Sequence, residues 1–224
     1  MREITRLGVF GGTFDPVHRA HIELARLAIN QCHLSSMLLV PCHLPPHRET
    51  AMATGSQRVE MLKLAVADLP NIGICDYELQ QQSTSYTHDT LVYLKERQPE
   101  VQLVFCMGGD SLRDFTHWRN WQQILELANI AVLARGTDHS HEIAEELKHR
   151  MQPAGSELTE SAGQICYLAA DPLSISATTI RDRLLSMPKG SERACIETYE
   201  QDPILGKWLN PDVLEYIINN QVYQ

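Results

Sequence analysis

The sequence predicts an α/β fold, with a doubly wound, mainly parallel sheet and a small helical part at the C-terminal end. Short apolar runs of strand length alternate along the chain with stretches in which apolar residues recur at helical spacing. Segments rich in glycine, histidine and hydroxyl groups directly follow several of the apolar runs. In a parallel sheet such segments meet at the carboxyl ends of the strands, where these folds bind ligands.

Each predicted strand is an apolar, β-prone run bounded by glycine, proline or polar residues. The strands are predicted over residues 7–10, 36–40, 72–75, 101–107, 129–134 and 164–169. Helices are predicted over residues 22–30, 56–68, 85–97 and 139–151, and a further helix from Ser176 or Ala177 to Leu185. Ser56 is the expected N-cap of the second helix. Residues 78–83 are expected to form a polar connection and residues 153–163 a loop.

Composition fits one domain over residues 1–224, with a helical subregion over about 175–224. The net charge of −9 argues against broad binding of nucleic acid or of anionic membranes, and no stretch approaches the length of a membrane span. The six cysteines include no C-x-x-C pair, and a disulfide framework is not expected at this size. We therefore expect a reduced, cytoplasmic protein.

The first apolar run leads into a glycine turn and a predicted helix start. Gly11-Gly12 lets the backbone turn sharply and approach a ligand, and Asp15-Pro16 is a turn signal. His18 and His21 are three residues apart, so they face the same way on the first turn of a helix. The N-terminus of a helix favours phosphate. Taken alone, the histidines could equally be surface or partly buried polar residues, or metal ligands.

The segment Gly-Gly-Thr-Phe-Asp-Pro-Val-His-x-x-His, residues 11–21, closely resembles the signature of the bacterial nicotinate-nucleotide adenylyltransferases. The wider nucleotidyltransferase superfamily carries a looser version ending His-x-Gly-His, and Ala20 stands here where glycine is usual. The resemblance implies a Rossmann-like nucleotidyltransferase fold, with both histidines contacting the phosphates of ATP and stabilising the transition state. The ATP-binding residues implied by this segment are Gly11, Gly12, Thr13, Phe14, His18 and His21.

Four more segments match the same family in order, and each has a plainer interpretation. Pro-Pro-His-Arg at 45–48 could be a stiff solvent loop, and Ser-Tyr-Thr at 85–87 an ordinary helix cap. The aspartate of the 108–111 segment could simply cap the next helix, and the hydroxyls of the 175–181 segment could do the same. Trp118 and Trp121 could share one helical face packed on the core, and Trp118 is expected at the start of that helix.

The resemblance assigns these segments to the two substrates. The residues it implies for the mononucleotide are His47, Arg48, Ser85, Tyr86, Thr87, Asp110 and Trp118, with Trp118 stacking on the pyridine ring. The further residues it implies for ATP are Gly108, Asp110, Ile175, Ser176, Thr178 and Arg181, with Arg181 also catalytic. The resemblance covers almost the whole chain except residues 188–207, which look like an insertion.

The implied reaction transfers AMP from ATP to nicotinate mononucleotide and gives deamido-NAD and pyrophosphate, a step of NAD biosynthesis. The phosphate of the mononucleotide is already a nucleophile, so positioning and charge neutralisation should supply the catalysis. Mg²⁺ is expected to be carried mainly by ATP, because the sequence shows no dedicated carboxylate cage. The alternatives are a pantetheine-phosphate or other small-molecule nucleotidyltransferase and a non-catalytic nucleotide-sensing module.

Overall fold

The computed structural model of the chain describes residues 5–43, 51–81, 84–133, 143–153, 156–169, 175–187 and 201–223. In these residues the strands are β1 (Arg6–Gly12), β2 (Ser36–Pro41), β3 (Ile72–Ile74), β4 (Gln102–Gly108), β5 (Ala128–Leu133) and β6 (Ile165–Leu168). They form one sheet in the order β3-β2-β1-β4-β5-β6, and every neighbouring pair is parallel. The predicted parallel sheet is confirmed, with each predicted strand in place to within two residues at either end.

Helices follow the strands. They are α1 (Arg19–Gln31), α2 (Gly55–Ala65), α3 (Thr87–Arg97), α4 (Gly109–Arg113), α5 (Trp121–Leu127), α6 (Glu145–Lys148), α7 (Ala177–Ser186), α8 (Leu205–Trp208) and α9 (Pro211–Asn219). Two short 3₁₀ turns lie at Tyr77–Gln80 and Phe115–His117. Within the described ranges no helix is both long enough and apolar enough to cross a bilayer.

Two hydrophobic clusters bury the opposite faces of the sheet. In β1, Phe10 belongs to one cluster and Val9 to the other, and Val104 and Phe105 of β4 divide in the same way. Residues of α1, α2, α7, α8 and α9 cover the Phe10 face, while residues of α3, α5 and α6 cover the Val9 face. Because both faces are covered, the strands read as nearly continuous apolar runs, which made them visible in the sequence.

The strand order turns back between β1 and β4. The chain runs outward from β1 to β2 and β3 on one side, then crosses to β4 and continues outward to β6 on the other. The connections that leave the carboxyl ends of β1 and β4 therefore diverge, which opens a crevice between them.

Two helices begin earlier than the sequence predicts. α1 begins at Arg19 with His18 as its N-cap. α2 begins at Gly55, and its cap is Thr54 instead of Ser56: Thr54 Oγ1 accepts from the Gln57 N–H at 3.3 Å, and Gln57 Oε1 accepts from the Thr54 N–H at 2.9 Å. This reciprocal pair is a capping box. Because Gln57 lies three residues after Thr54, the spacing that a capping box requires, Thr54 is the cap and Ser56 is not.

The predicted helix over residues 139–151 is wrong in most of its described part. The structure has only the single turn α6, and residues 139–142 lie outside the described residues. Leu147 is the one buried residue of that turn, so no apolar face anchors a longer helix. The expected loop holds: residues 153 and 156–163 contain neither helix nor strand.

Residues 201–223 return to the Phe10 face of the sheet. The buried residues they add to that cluster are Leu205, Leu209, Val213, Leu214, Ile217, Ile218, Val222 and Tyr223. Asp202 accepts from the N–H groups of Ile204 and Leu205 at 3.0 Å, beside the start of α8, and it accepts from Arg183 Nε at 2.6 Å. The described end of the predicted insertion is thus fixed to α7, while residues 188–200 lie outside the described residues.

Candidate active site

The turn between β1 and α1 closes tightly over a buried aromatic ring. Phe14 has a left-handed φ of 50°, and a Cβ on Gly12 would lie 3.0 Å from its ring. Glycine is needed at this position because a side chain would press on that ring. The ring packs edge-on against Phe10 and His21, with centroids 5.8 and 5.0 Å away. The side chain of Phe14 is therefore scaffold, and Gly11 and the half-buried Thr13 are what this turn exposes.

The two predicted histidines meet at the start of α1. Their rings stack with centroids 3.8 Å apart, and the His18 N–H donates to His21 Nδ1 at 3.2 Å. Because Nδ1 of His21 accepts, the proton of its neutral ring lies on Nε2, which is a donor. The spacing argument is confirmed: the imidazoles lie side by side at the carboxyl edge of the sheet.

Ala20, which replaces the usual glycine, lies one turn into the same segment. It is buried in the cluster on the Phe10 face of the sheet, so its methyl group is accommodated by core packing. The substitution leaves the pairing of His18 and His21 intact.

Arg181 reaches the same turn from the other end of the chain. α7 begins at Ala177, as predicted, with Ser176 Oγ accepting from the Thr179 N–H at 3.1 Å. Arg181 Nη1 donates to the Asp15 carbonyl at 2.8 Å, and Nη2 donates to Thr178 Oγ1 at 3.2 Å. The structure therefore joins the 175–181 segment to the histidine turn.

Two members of that segment have contacts within the protein. Ile175 is buried in the hydrophobic cluster, and the half-buried Ser176 caps α7 through its hydroxyl, as the plainer interpretation of the hydroxyls expected. Their contact with ATP stays a prediction from the resemblance.

Gly108 and Asp110 lie where β4 ends, across the crevice from the histidine turn. Gly108 is the N-cap of α4, and a Cβ there would meet open space. Asp110 does not cap this helix; its exposed carboxylate pairs with Arg113.

The Ser85-Tyr86-Thr87 segment begins α3, with Tyr86 as the N-cap and without a side-chain capping bond. The plainer interpretation of this segment as an ordinary helix cap therefore lacks a capping side chain, and the first N–H groups of α3 can bind a ligand. The guanidinium of Arg119 lies over the ring of Tyr86, 4.7 Å from the ring centroid, and Arg119 Nη1 lies 3.8 Å from Asp89. These contacts bring Trp118-Arg119 to the start of α3.

Trp118 does not start a helix. It follows the 3₁₀ turn at Phe115–His117 in an extended conformation, and α5 begins at Trp121. The ring of Trp118 is half-buried against Phe105 and Phe115, with centroids 6.1 and 5.6 Å away. Trp121 packs against Phe115 at 6.1 Å, as its core interpretation predicts.

Sequence reasoning missed three buried polar side chains that support these segments. Arg58 is 2% exposed, and its Nη1 donates to the carbonyl groups of Thr13 and Cys42 at 2.8 Å each. The signal was present in the helical spacing, because the buried residues of α2 are Arg58, Met61 and Leu62.

Glu78 is the second, in the stretch that the sequence predicts to be a polar connection. It lies buried in the 3₁₀ turn and accepts from Thr90 Oγ1 of α3 at 2.7 Å. Burial raises the pKa of Glu78, with the hydroxyls of Thr90 and Ser85 acting in the opposite direction. A buried carboxyl thus underlies the start of α3.

Asp15 is the third. Its carboxylate is 4% exposed and accepts from the Met52 and Ala53 N–H groups and from the Tyr223 hydroxyl. The sequence predicts Asp15 only as part of a turn, because Pro16 follows it.

Two predicted site residues, His47 and Arg48, lie outside the described residues. Among the residues that are described, no group of three or more His, Cys, Asp or Glu side chains is placed to hold a metal ion.

Comparison with known proteins indicates the same family as the sequence motifs do. The profile of the cytidylyltransferase-like family matches residues 9–183. A probable nicotinate-nucleotide adenylyltransferase of Cellvibrio japonicus is 43% identical over 179 residues, which are 78% of this chain and 85% of that one. A probable nicotinate-nucleotide adenylyltransferase of Chromobacterium violaceum is 36% identical over 98% of this chain and 99% of that one.

A solved structure, the Plasmodium falciparum nicotinic acid mononucleotide adenylyltransferase complexed with NaAD, matches 98% of this chain and 97% of that chain. Its TM-score is 0.69 at 20% identity, which establishes a common fold. The same enzyme complexed with APC gives a TM-score of 0.67 at 19% identity. Taken with the sequence relatives, these matches place the chain in the nicotinate-nucleotide adenylyltransferase family of the cytidylyltransferase-like proteins.

Proposed function

We propose that this protein transfers AMP from ATP to nicotinate mononucleotide and releases pyrophosphate. The observation that carries the proposal is the meeting of the stacked His18–His21 pair with Arg181 through Asp15, at the carboxyl end of β1. Three cationic or hydrogen-donating side chains at one crevice suit a polyphosphate. Membership of the nicotinate-nucleotide adenylyltransferase family supports the choice of acceptor.

In the proposed reaction an oxygen of the mononucleotide 5′-phosphate attacks the α-phosphorus of ATP. A new P–O bond forms there while the bond from the α-phosphorus to the bridging oxygen breaks, and pyrophosphate leaves with that electron pair. The nucleophile is already ionised, so the enzyme needs no covalent intermediate. Its task is to hold the two phosphates in line and to offset the negative charge that gathers around them.

His21 and His18 are proposed to act at the transferring phosphoryl group. The Nε2–H of His21 is oriented by the bond that its Nδ1 accepts from the backbone of His18. A donor fixed in this way can bind the developing charge without first reorganising. Arg181, with Thr178 beside it, is proposed to hold the β- and γ-phosphates, because a guanidinium can bind two oxygens at once.

The mononucleotide is proposed to bind across the crevice. The first-turn N–H groups of α3 at Tyr86 and Thr87 would bind the nicotinate carboxylate, and Trp118 would cover the ring. Asp110, in the first turn of α4, would contact the mononucleotide. His47 and Arg48 stay predictions from the resemblance.

Mg²⁺ is proposed to enter on the phosphates of ATP, where it would neutralise part of their charge. That ATP carries the metal stays a prediction from the sequence. The cytoplasmic location also stays a prediction from the sequence.

The test measures pyrophosphate release from Mg-ATP with nicotinate mononucleotide, with phosphopantetheine and without acceptor. We expect release only with the mononucleotide. Preference for phosphopantetheine would identify the alternative transferase, and ATP binding without release on any acceptor would identify a sensing module.

A further inference from the structure

The carboxylate of Asp15 gathers donors from distant parts of the chain. Its Oδ2 accepts from the Met52 N–H at 2.8 Å, and its Oδ1 accepts from the Ala53 N–H at 3.0 Å and from the Tyr223 hydroxyl at 2.7 Å. Tyr223 is 208 positions away in the sequence. These contacts fix the carboxylate from two sides, and with it the backbone of the histidine turn.

Arg181 depends on this same residue. Its Nη1 donates to the Asp15 carbonyl at 2.8 Å and lies 3.9 Å from Oδ2 of the carboxylate. The Arg181 side chain is 22% exposed, with Nη1 held by Asp15 and Nη2 by Thr178, so part of the guanidinium stays accessible to a ligand. Whatever fixes Asp15 therefore also fixes the direction of the Arg181 fork.

The buried hydroxyl of Tyr223 is a hydrogen-bond donor to Asp15. It is 5% exposed within the cluster on the Phe10 face of the sheet. Burial and then the charge of Asp15 raise the pKa of the Tyr223 hydroxyl, which therefore stays protonated and donates at every pH used for assay. Its contact with a buried carboxylate is of the stronger, charge-assisted kind.

The backbone that carries Tyr223 takes unusual conformations to reach this position. Gln221 and Tyr223 have left-handed φ values of 51° and 67°, while the Val222 N–H closes back on the Ile217 carbonyl at 3.0 Å. Residues other than glycine seldom adopt such φ values unless their surroundings hold them there. The contact with Asp15 and the burial of the ring are what hold this turn.

We propose that Tyr223 is a positioning residue for the triphosphate of ATP, acting through Asp15 on Arg181. This rests on the proposed function, in which Arg181 holds the β- and γ-phosphates. Removing the hydroxyl leaves the ring packed in the core but frees one side of the Asp15 carboxylate. The guanidinium of Arg181 then samples more orientations, and ATP binds more weakly while the pyridine ring's site is unchanged.

The experiment compares Tyr223→Phe with Tyr216→Phe, a matched loss of a tyrosine hydroxyl from the half-buried side chain on α9. Titration calorimetry measures binding of Mg-ATP, and steady-state kinetics measures KM for each substrate. We expect Tyr223→Phe to weaken ATP binding by about tenfold, the scale of a lost hydrogen bond to a charged group, with less than a twofold change for nicotinate mononucleotide. Tyr216→Phe should leave both values within about twofold of the wild type.

A second pair of variants separates positioning from general loosening. In the Arg181→Lys background the fork is already gone, so adding Tyr223→Phe should weaken ATP binding less than twofold further. Equal weakening of both substrates, or an undiminished effect in that background, would overturn the proposal. Failure of the proposed function looks different, because the wild type would bind ATP and release no pyrophosphate with the mononucleotide, while the binding comparison would still stand.

Discussion

The two sides of the crevice are built in different ways. The proposed phosphate side, consisting of residues 13–21 with Arg181, is held by hydrogen bonds from Arg58, Met52, Ala53 and Tyr223. The proposed pyridine side, consisting of residues 85–87 with Trp118 and Arg119, is held by ring contacts, by one exposed ion pair and, beneath it, by the buried hydrogen bond from Thr90 to Glu78. Polar side chains buried under the phosphate side fix its donors before ATP arrives.

This difference suggests how the two tasks are divided. Charge stabilisation in a transition state requires donors that do not move, and the phosphate side has them. Recognition of a flat ring needs a covering surface and a few donors, and the pyridine side supplies these with side chains that are partly exposed. We therefore expect changes on the phosphate side to affect catalysis most, and changes on the pyridine side to affect the choice of acceptor.

The largest effect should come from the histidines. His21→Ala removes the donor that we propose acts at the transferring phosphate and should lower kcat on the order of 100-fold, as the loss of an oxyanion donor does. His18→Ala should act similarly. His149→Ala is the matched control, since His149 is exposed and lies two residues before Met151, which pairs with the first residue of β6. Near-normal turnover of both site variants would show that His18 and His21 are ordinary polar residues without a catalytic role.

Arg181→Lys comes next. Lysine keeps the charge but has one nitrogen in place of the planar fork, whose separate nitrogens Nη1 and Nη2 bind Asp15 and Thr178. KM for ATP should rise by about tenfold, with KM for the mononucleotide changed less than twofold. Steady-state kinetics with each substrate varied in turn checks this. A change confined to KM for the mononucleotide would contradict the proposal that Arg181 of α7 holds the phosphates of ATP.

The pyridine side should discriminate by charge and not by shape. Nicotinate and nicotinamide have nearly the same outline, so the donors at the start of α3 must distinguish them. We expect the acid to be preferred by at least roughly tenfold in kcat/KM, because charge-assisted hydrogen bonds contribute about 1.5–3 kcal/mol. Competition between the two mononucleotides at fixed Mg-ATP measures the ratio, and a preference for the amide would refute this site.

Trp118→Ala should weaken both mononucleotides together, by roughly five- to tenfold, because a stacked ring covers either one equally. Calorimetry with each mononucleotide and with Mg-ATP tests this, and ATP binding should stay within twofold of the wild type. Unequal losses for the acid and the amide would mean that Trp118 takes part in discrimination.

The smallest effect concerns the buried carboxyl beneath the pyridine side. Burial raises the pKa of Glu78 in the folded protein above its ordinary value of 4.5. A raised pKa favours the protonated folded state, so this contribution to stability is complete below pH 4.5 and is lost as the pH rises through the folded pKa. The difference in urea midpoint between the wild type and Glu78→Gln should therefore fall as the pH rises from 4.5 to 8. The exposed Glu96 of α3 provides the control, Glu96→Gln, and an identical pH trend in all three proteins would contradict the assignment.

Local patterns predicted the sheet and the meeting of His18 with His21. Strands buried on both faces are apolar throughout, and a three-residue spacing fixes which side chains share the start of a helix. Thr54 was missed in favour of Ser56 because the capping box depends on where Gln57 stands, which the serine preference alone does not include.

The buried polar contacts could not be read from local sequence. Asp15 bonds to Ala53 and Tyr223, which are 38 and 208 positions away, and Arg58 reaches Thr13 across 45 positions. No periodicity encodes such pairs, since they arise only when the sheet brings its carboxyl ends together. The helix predicted over 139–151 failed for the opposite reason: its charged sequence offered a weak pattern, and the fold gave it one buried leucine to pack.

We expect the contact between Tyr223 and Asp15 to make the turn that follows α9 sensitive to bound nucleotide. Thermodynamic linkage is reciprocal, so if docking of the last turn favours the ATP-binding arrangement, bound ATP must favour docking of that turn by the same free energy. The Val222 amide, bonded to Ile217 at 3.0 Å, exchanges its hydrogen when this turn opens. Saturating Mg-ATP should therefore slow the exchange of that amide in the wild type, and should slow it less in Tyr223→Phe.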